Sequence, residues 1–146
     1  MFMKQLSVFI ENREGRLQEV LKVLKEKGIN IVSLSLADTS EYGLLRLLTT
    51  SPEQGRQALR ENGFSAMLTD VLAVRISHQV GKLQELLGAI CEAELNVEYM
   101  YALSTGKEDA SIVLKTSDLH KSAETLRKLG VEIVSPQEFA VSDGPA

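Results

Sequence analysis

Cysteine is almost missing from this chain. The single Cys91 excludes an internal disulfide and fits a reducing compartment. There is no tryptophan, and there are two histidines, His78 and His120. Neither histidine has a partner at ligand spacing, so no metal site is expected. No apolar run approaches the ~20 residues of a membrane span. The 16 basic and 20 acidic residues give a net charge of −4, without any block of one sign. That excludes a nucleic-acid stripe and an anionic membrane surface from the expected partners. The opening Met1-Phe2-Met3-Lys4 lacks the long apolar stretch of a signal peptide, and a cytoplasmic location is expected. A Gly-rich phosphate loop and a nucleophile elbow are also missing. Catalysis needs an activated acid, base or nucleophile held by a partner, so neither enzymatic activity nor a cofactor is expected.

What the sequence does have is a repeat. Asn12-Arg13-Glu14-Gly15-Arg16-Leu17-Gln18-Glu19-Val20-Leu21 lies over His78-Gln79-Val80-Gly81-Lys82-Leu83-Gln84-Glu85-Leu86-Leu87. Gly, Leu, Gln, Glu and Leu coincide, at an offset of 81 − 15 = 66. Ile29-Asn30-Ile31 then lies over Leu95-Asn96-Val97, and Thr50-Ser51 over Thr116-Ser117. One inserted residue after that brings Leu59-Arg60 over Leu126-Arg127 and Gly63 over Gly130. A chain of 146 residues thus divides into two small domains, expected at 1–69 and 70–141, with a flexible tail at 142–146. Each has a thin core, so the two are expected to lean on each other.

Each copy has the same pattern. Leu6, Val8 and Ile10 alternate with polar or outward positions, as do Leu72, Val74 and Ile76, which is strand period. Apolar residues at 17, 20, 21 and 24, and at 83, 86, 87 and 90, have helical spacing. Gly28 suits a left-handed C-cap. Strands are expected at Ile29–Ala37 with Leu44–Thr50, and at Leu95–Ser104 with Ala110–Thr116, joined by turns at Asp38-Thr39-Ser40 and Thr105-Gly106-Lys107. Ser51, followed by Pro52, and Ser117, followed by Asp118, are the expected N-caps of the second helices. Those helices end near Gly63 and Gly130, and closing strands are expected at Ser65–Leu68 and Val131–Val134. Cys91 falls beside Leu87 and Ile90 and is expected to fill core.

The order βαββαβ, twice, defines the fold class: α+β, two tandem ferredoxin-like units, each a four-stranded antiparallel sheet with two helices on one face. Alternation assigns Leu6, Val8, Ile10, Val32, Leu34 and Leu36 to the helix face. Ser7, Phe9, Glu11, Ser33 and Ser35, with Ala73, Arg75, Ser77, Tyr99 and Tyr101, fall on the open face. Leu44-Leu45-Arg46-Leu47-Leu48 is apolar on both sides and does not reveal which way it faces. The open faces are expected to be covered, by the partner repeat or by a second chain.

A strand, a short loop, a Gly, a helix beginning with Leu and a Gly-Ile-Asn-Ile second strand together resemble the ACT domain. The usual loop of that family reads Asp-Arg-Pro-Gly-x-Leu. Here the loops are Asn12-Arg13-Glu14-Gly15-Arg16-Leu17 and His78-Gln79-Val80-Gly81-Lys82-Leu83, so Gly and Leu are kept while Asp and Pro are replaced. Gly28-Ile29-Asn30-Ile31 keeps the second motif, and Glu94-Leu95-Asn96-Val97 keeps its Asn and apolar pair. The resemblance covers nearly the whole chain. It implies a non-catalytic regulatory protein that binds a free amino acid between ACT units and so alters contact with a metabolic enzyme, as a homodimer. Carried over by position, the ligand residues would be Asn12, Glu14, Gly15, Arg16, Leu17 and Asn30, and His78, Val80, Gly81, Lys82, Leu83 and Asn96. The loss of Asp removes a partner for a ligand ammonium, which Glu14 replaces only in the first loop. A ligand-free regulatory subunit of an amino-acid biosynthetic enzyme is the alternative, and a ferredoxin-like enzyme or metal binder a third. Each site residue also has a structural reading: helix entry for Gly15 and Gly81, capping for Asn12, a turn for Asn30 and Asn96, and a solvated rim for Glu14, Arg16 and Lys82.

Overall fold

The computed structural model describes residues 2–38, 41–77, 79–103 and 110–140. His78, the turn residues at 39–40 and 105–107, and the tail at 142–146 lie outside them. The element order is β1 (Met3–Glu11), α1 (Arg16–Glu26), β2 (Ile31–Asp38), β3 (Tyr42–Thr49), α2 (Pro52–Glu61), β4 (Ser65–Ile76), α3 (Lys82–Glu92), β5 (Val97–Leu103), β6 (Ala110–Thr116), α4 (Leu119–Lys128), β7 (Glu132–Ile133) and α5 (Gln137–Ala140). The first closing strand and the second opening strand are one 12-residue strand, β4. The second closing strand has two residues, Glu132–Ile133, and the Val134 N–H bond to the Ala73 carbonyl continues its register along β4.

The chain forms two compact units. The first is Lys4–Thr69 with Gln137–Ala146; the second is Met1–Met3 with Asp70–Pro136. Strand order in the first is β2-β3-β1-β4, and in the second β5-β6-β4-β7. This is the split βαβ arrangement, with antiparallel pairing of β1 to β3, β2 to β3, β4 to β6 and β5 to β6.

Register settles the face of the third strand. Leu6 pairs with Leu47 and Val8 with Leu45. All four are fully buried and pack with Val20, Leu24 and Leu59 of the two helices. Leu44, Arg46 and Leu48 therefore point to the open face. There Leu48 and Gln5 are buried while Phe9 and Tyr42 are 50% and 55% exposed, so the face is covered at one end only. In the second unit, Leu72, Val74, Ile112 and Leu114 meet Leu86, Ile90, Leu119 and Leu126. Phe2 joins this second core, its ring edge-on to His120 at 4.9 Å.

The same register moves the inserted residue. Leu6 and Leu72 differ by 66, but their partners Leu47 and Leu114 differ by 67. The insertion thus precedes β6, and Thr50 corresponds to Ser117, not Thr116. Asp118 then corresponds to Ser51, and Asp118 rather than Ser117 is the N-cap of α4, its carboxylate accepting from Lys121 N–H at 3.0 Å. Ser117 serves elsewhere: its hydroxyl accepts from Asn96 N–H, as the Thr50 hydroxyl does from Asn30 N–H.

Two other expectations change. Leu34 and Leu36 do face the helix side, opposite Leu47 and Leu45, yet they are 49% and 46% exposed. β2 is the outermost strand, with a neighbour on one side alone, and a bulge between Ile31 and Ser33 lets only Ile31 of this strand reach the core. Cys91 is exposed rather than core filler. One residue past buried Ile90 is a rotation of ~100° about α3, which carries it off the inward stripe.

Candidate functional site

The first loop is built from backbone bonds. Asn12 N–H donates to the Glu41 carbonyl, Arg13 N–H to the Glu11 carbonyl and Arg16 N–H to the Arg13 carbonyl. These fold the chain back on itself at Gly15, which enters α1 with φ +83°. A side chain there is strained by the backbone alone, since an added Cβ would meet only Glu19 Oε1, at 4.0 Å. The Gly15 carbonyl accepts from Glu19 N–H, and no side chain caps the start of α1. Of the first-turn N–H groups, those of Leu17 and Gln18 lie between the bonded N–H groups of Arg16 and Glu19, where the helix dipole favours an anion.

A cavity of ≈ 120 Å³ opens beside this loop. Its walls are Ile10 and Glu11 of β1, Asn12 and Arg13 of the loop, Leu17 of α1, Leu36 of β2 and Gly43 of β3. Asn12 and Leu17 are thus brought together, whereas Glu14, Gly15, Arg16 and Asn30 do not line it. Arg16 turns away: its guanidinium pairs with Glu19 at 2.6 Å and stacks on Phe64 at 4.3 Å. Sequence reasoning missed Arg13 and Leu36. Arg13 belongs to the recognised loop and carried a signal; Leu36 is visible only through its exposure on an edge strand.

Asn30 immediately precedes β2, and its backbone is held by Thr50 through N–H to hydroxyl and through its carbonyl. The cavity meets β2 at Leu36, six residues further on, or roughly 20 Å along an extended strand. Loop and Asn30 of one unit therefore cannot touch one small ligand. A site using both needs two units.

The second loop repeats the frame. Gly81 has φ +88°, its carbonyl accepts from Glu85 N–H, and Lys82 N–H donates to the Gln79 carbonyl. Val80 is fully exposed and Leu83 is 38% exposed. Lys82 pairs with Glu85 at 3.4 Å, and Asn96 repeats the Asn30 clamp. His78 lies outside the described residues. Among the described residues no group of three potential metal ligands occurs, and no helix is long and apolar enough to cross a membrane.

Two split βαβ units in tandem, each with a left-handed glycine entering its first helix, are the frame of an ACT-type regulatory fold. The chain belongs to the ACT domain pair family, which it matches over residues 1–141. A solved structure of a Bacteroides thetaiotaomicron protein is 32% identical, with 96% of each chain covered and a TM-score of 0.89. The regulatory subunit of aspartate kinase from Thermus thermophilus, solved ligand-free, shares the fold at 16% identity and a TM-score of 0.62, over 95% of this chain and 94% of that one. The corresponding Thermus flavus subunit shares it at 18% and 0.64, over 89% and 92%. No protein among the curated ones matches.

Proposed function

We propose that this chain is a non-catalytic, amino-acid-binding regulatory protein of the cytoplasm, organised as ACT-type domains 1–69 and 70–141. A small free amino acid binds where the helix-entry loop of one ACT unit meets the second strand of another, and its binding alters contact with a metabolic enzyme. The observation that carries this reading is the uncapped start of α1 beside the ≈ 120 Å³ cavity walled by Asn12, Arg13, Leu17 and Leu36. The N–H groups and Arg13 suit a carboxylate, while Leu17 and Leu36 suit a short apolar side chain. Glu14 takes the place of the family's loop acid toward the ammonium. In the second loop, Val80, Gly81, Lys82, Leu83 and Asn96 are the corresponding candidates with His78; Gly15 and Asn30 complete the first set, whereas Arg16 is held by Glu19 and Phe64 and leaves it. The exposed Phe9 and Tyr42 of the open face support a homodimer.

A thermal-shift screen against the twenty free amino acids tests the reading. A ligand at 100 times its dissociation constant adds about 2.7 kcal/mol of stability, an easily visible shift. A selective hit that weakens in Gly15→Ala is the expected result. A folded protein that responds to none removes the sensor reading. The ligand-free regulatory subunit then takes its place, a reading favoured by the replacement of the loop Asp with Asn12 and of Pro with Glu14 and Val80. Its signature is stable co-purification with a large enzyme subunit.

A further inference from the structure

The two units differ at one corresponding place. In the first, Phe64 is 6% exposed and carries the Arg16 guanidinium on its ring, so the space between the start of α1 and the turn after α2 is filled. In the second, the offset is 66 at the start of α3 and 67 after the insertion, so Arg16 becomes Lys82 and Phe64 becomes Val131. Both replacements are smaller, and the space is open: a cavity of ≈ 200 Å³ lined by Ser77, Lys82, Glu85, Leu86, Leu129 and Val131, among others.

The lining is chemically specific. Leu86, Leu129 and Val131 form an apolar wall. Lys82 Nζ and Glu85 Oε2 stand 3.4 Å apart, one positive and one negative group. Ser77 Oγ is buried and has no hydrogen-bond partner among the described residues. A buried hydroxyl without a partner is costly unless something else supplies one. The volume exceeds the ~150 Å³ that admits a benzene-sized molecule.

We infer that this cavity is a second ligand site, distinct from the one beside the first loop and sharing Lys82 with the second loop's candidates, and that it takes an α-amino acid with a short aliphatic side chain. The ligand carboxylate meets Lys82 and accepts from Ser77, its ammonium meets Glu85, and its side chain lies on Leu86 and Val131. A solvated Lys–Glu pair is worth little by itself, so exchanging it for contacts with a zwitterion is cheap. A ligand of one sign leaves either Lys82 or Glu85 without its counter-charge. The ligand class rests on the amino-acid reading above; the place does not.

Calorimetric titration of the full chain with valine and leucine tests this, with isovalerate and isobutylamine as single-charge analogues. Binding of the amino acid, weakened about tenfold or more in each analogue and in Glu85→Gln, is expected. Val131→Phe copies the first unit's own filling and is expected to abolish it. If that variant does not fold, as circular dichroism would report, Glu85→Gln alone decides. Binding unchanged by Glu85→Gln and Val131→Phe, or no binding of either amino acid, overturns the inference. Gly15→Ala reports on the first loop independently. Sensitivity to Gly15 alone removes the cavity and keeps the loop site; sensitivity to Glu85 and Val131 alone supports the cavity and removes the loop site.

Discussion

The Arg16 guanidinium lies 4.3 Å from the centre of the Phe64 ring, and Glu19 holds the same group at 2.6 Å. Its long side chain is thereby drawn over the edge of the first core, away from the loop that it follows in sequence. A residue of the expected ligand motif is thus occupied in closing its own unit, and the loop's other cation, Arg13, lines the cavity paired with Glu11 at 3.2 Å.

A double-mutant cycle on Arg16→Gln and Phe64→Leu should give a coupling energy of about 1 kcal/mol, since the Arg16 side chain is only 16% exposed. Urea denaturation of the four proteins measures it. A coupling near zero would mean that the stacking contributes nothing.

Glycines at two helix interiors should answer Ala in opposite ways. An added Cβ at Gly55 would lie 2.8 Å from Leu6 Cδ1, and Leu6 is fully buried. Overpacking there, at about 1–3 kcal/mol, outweighs the helix-propensity gain of up to about 1 kcal/mol. At Gly88 nothing lies within 4 Å, so only the gain remains. Gly55→Ala is expected to lower the melting temperature and Gly88→Ala to raise it. Shifts of the same sign would contradict this account of how α2 packs on β1.

All four long helices end the same way, with the amide after the left-handed residue bonded back to Leu24, Leu59, Ile90 or Leu126. Gly28, Gly63 and Gly130 occupy that left-handed position in three of them; Glu94, at φ +61°, occupies it in α3. A side chain in this conformation costs roughly 1–2 kcal/mol. Glu94→Gly should therefore stabilise the second unit by about 1 kcal/mol, and Gly28→Ala should destabilise the first by a similar amount. Chemical denaturation checks both, and an unstabilised Glu94→Gly would place compensating contacts on the Glu94 side chain.

Much of the fold was legible because period-2 and period-3.6 patterns appear twice, and each copy supports the reading of the other. Leu6, Val8, Ile10, Val20 and Leu24 went to the core by spacing alone. The face of Leu44-Leu45-Arg46-Leu47-Leu48 was not legible, because an apolar run has no alternation; only pairing with β1 orients it. Asp118 was missed as a cap because the repeat was aligned without strand register. Of the candidate site, the loop and its glycine were readable from the motif. Leu36 was not, since its place beside Leu17 depends on β2 crossing to the sheet edge, a long-range relationship that local sequence does not encode.

Leu36 and Leu45 stand opposite each other on the same face, and they should separate stability from binding. Leu45 is fully buried, so Leu45→Ala should cost about 2–5 kcal/mol. Leu36 is 46% exposed on an edge strand, and Leu36→Thr, which keeps strand propensity, should cost no more than about 1 kcal/mol. If the cavity beside Asn12 and Arg13 receives the effector's apolar side chain, Leu36→Thr should nonetheless weaken its affinity about tenfold, the equivalent of about 1.4 kcal/mol. Calorimetry on the screened amino acid, with melting curves of the apo variants alongside, measures both effects. Unchanged affinity in a folded Leu36→Thr would take β2 of the first unit out of the site and leave the loop to bind only the backbone of its ligand.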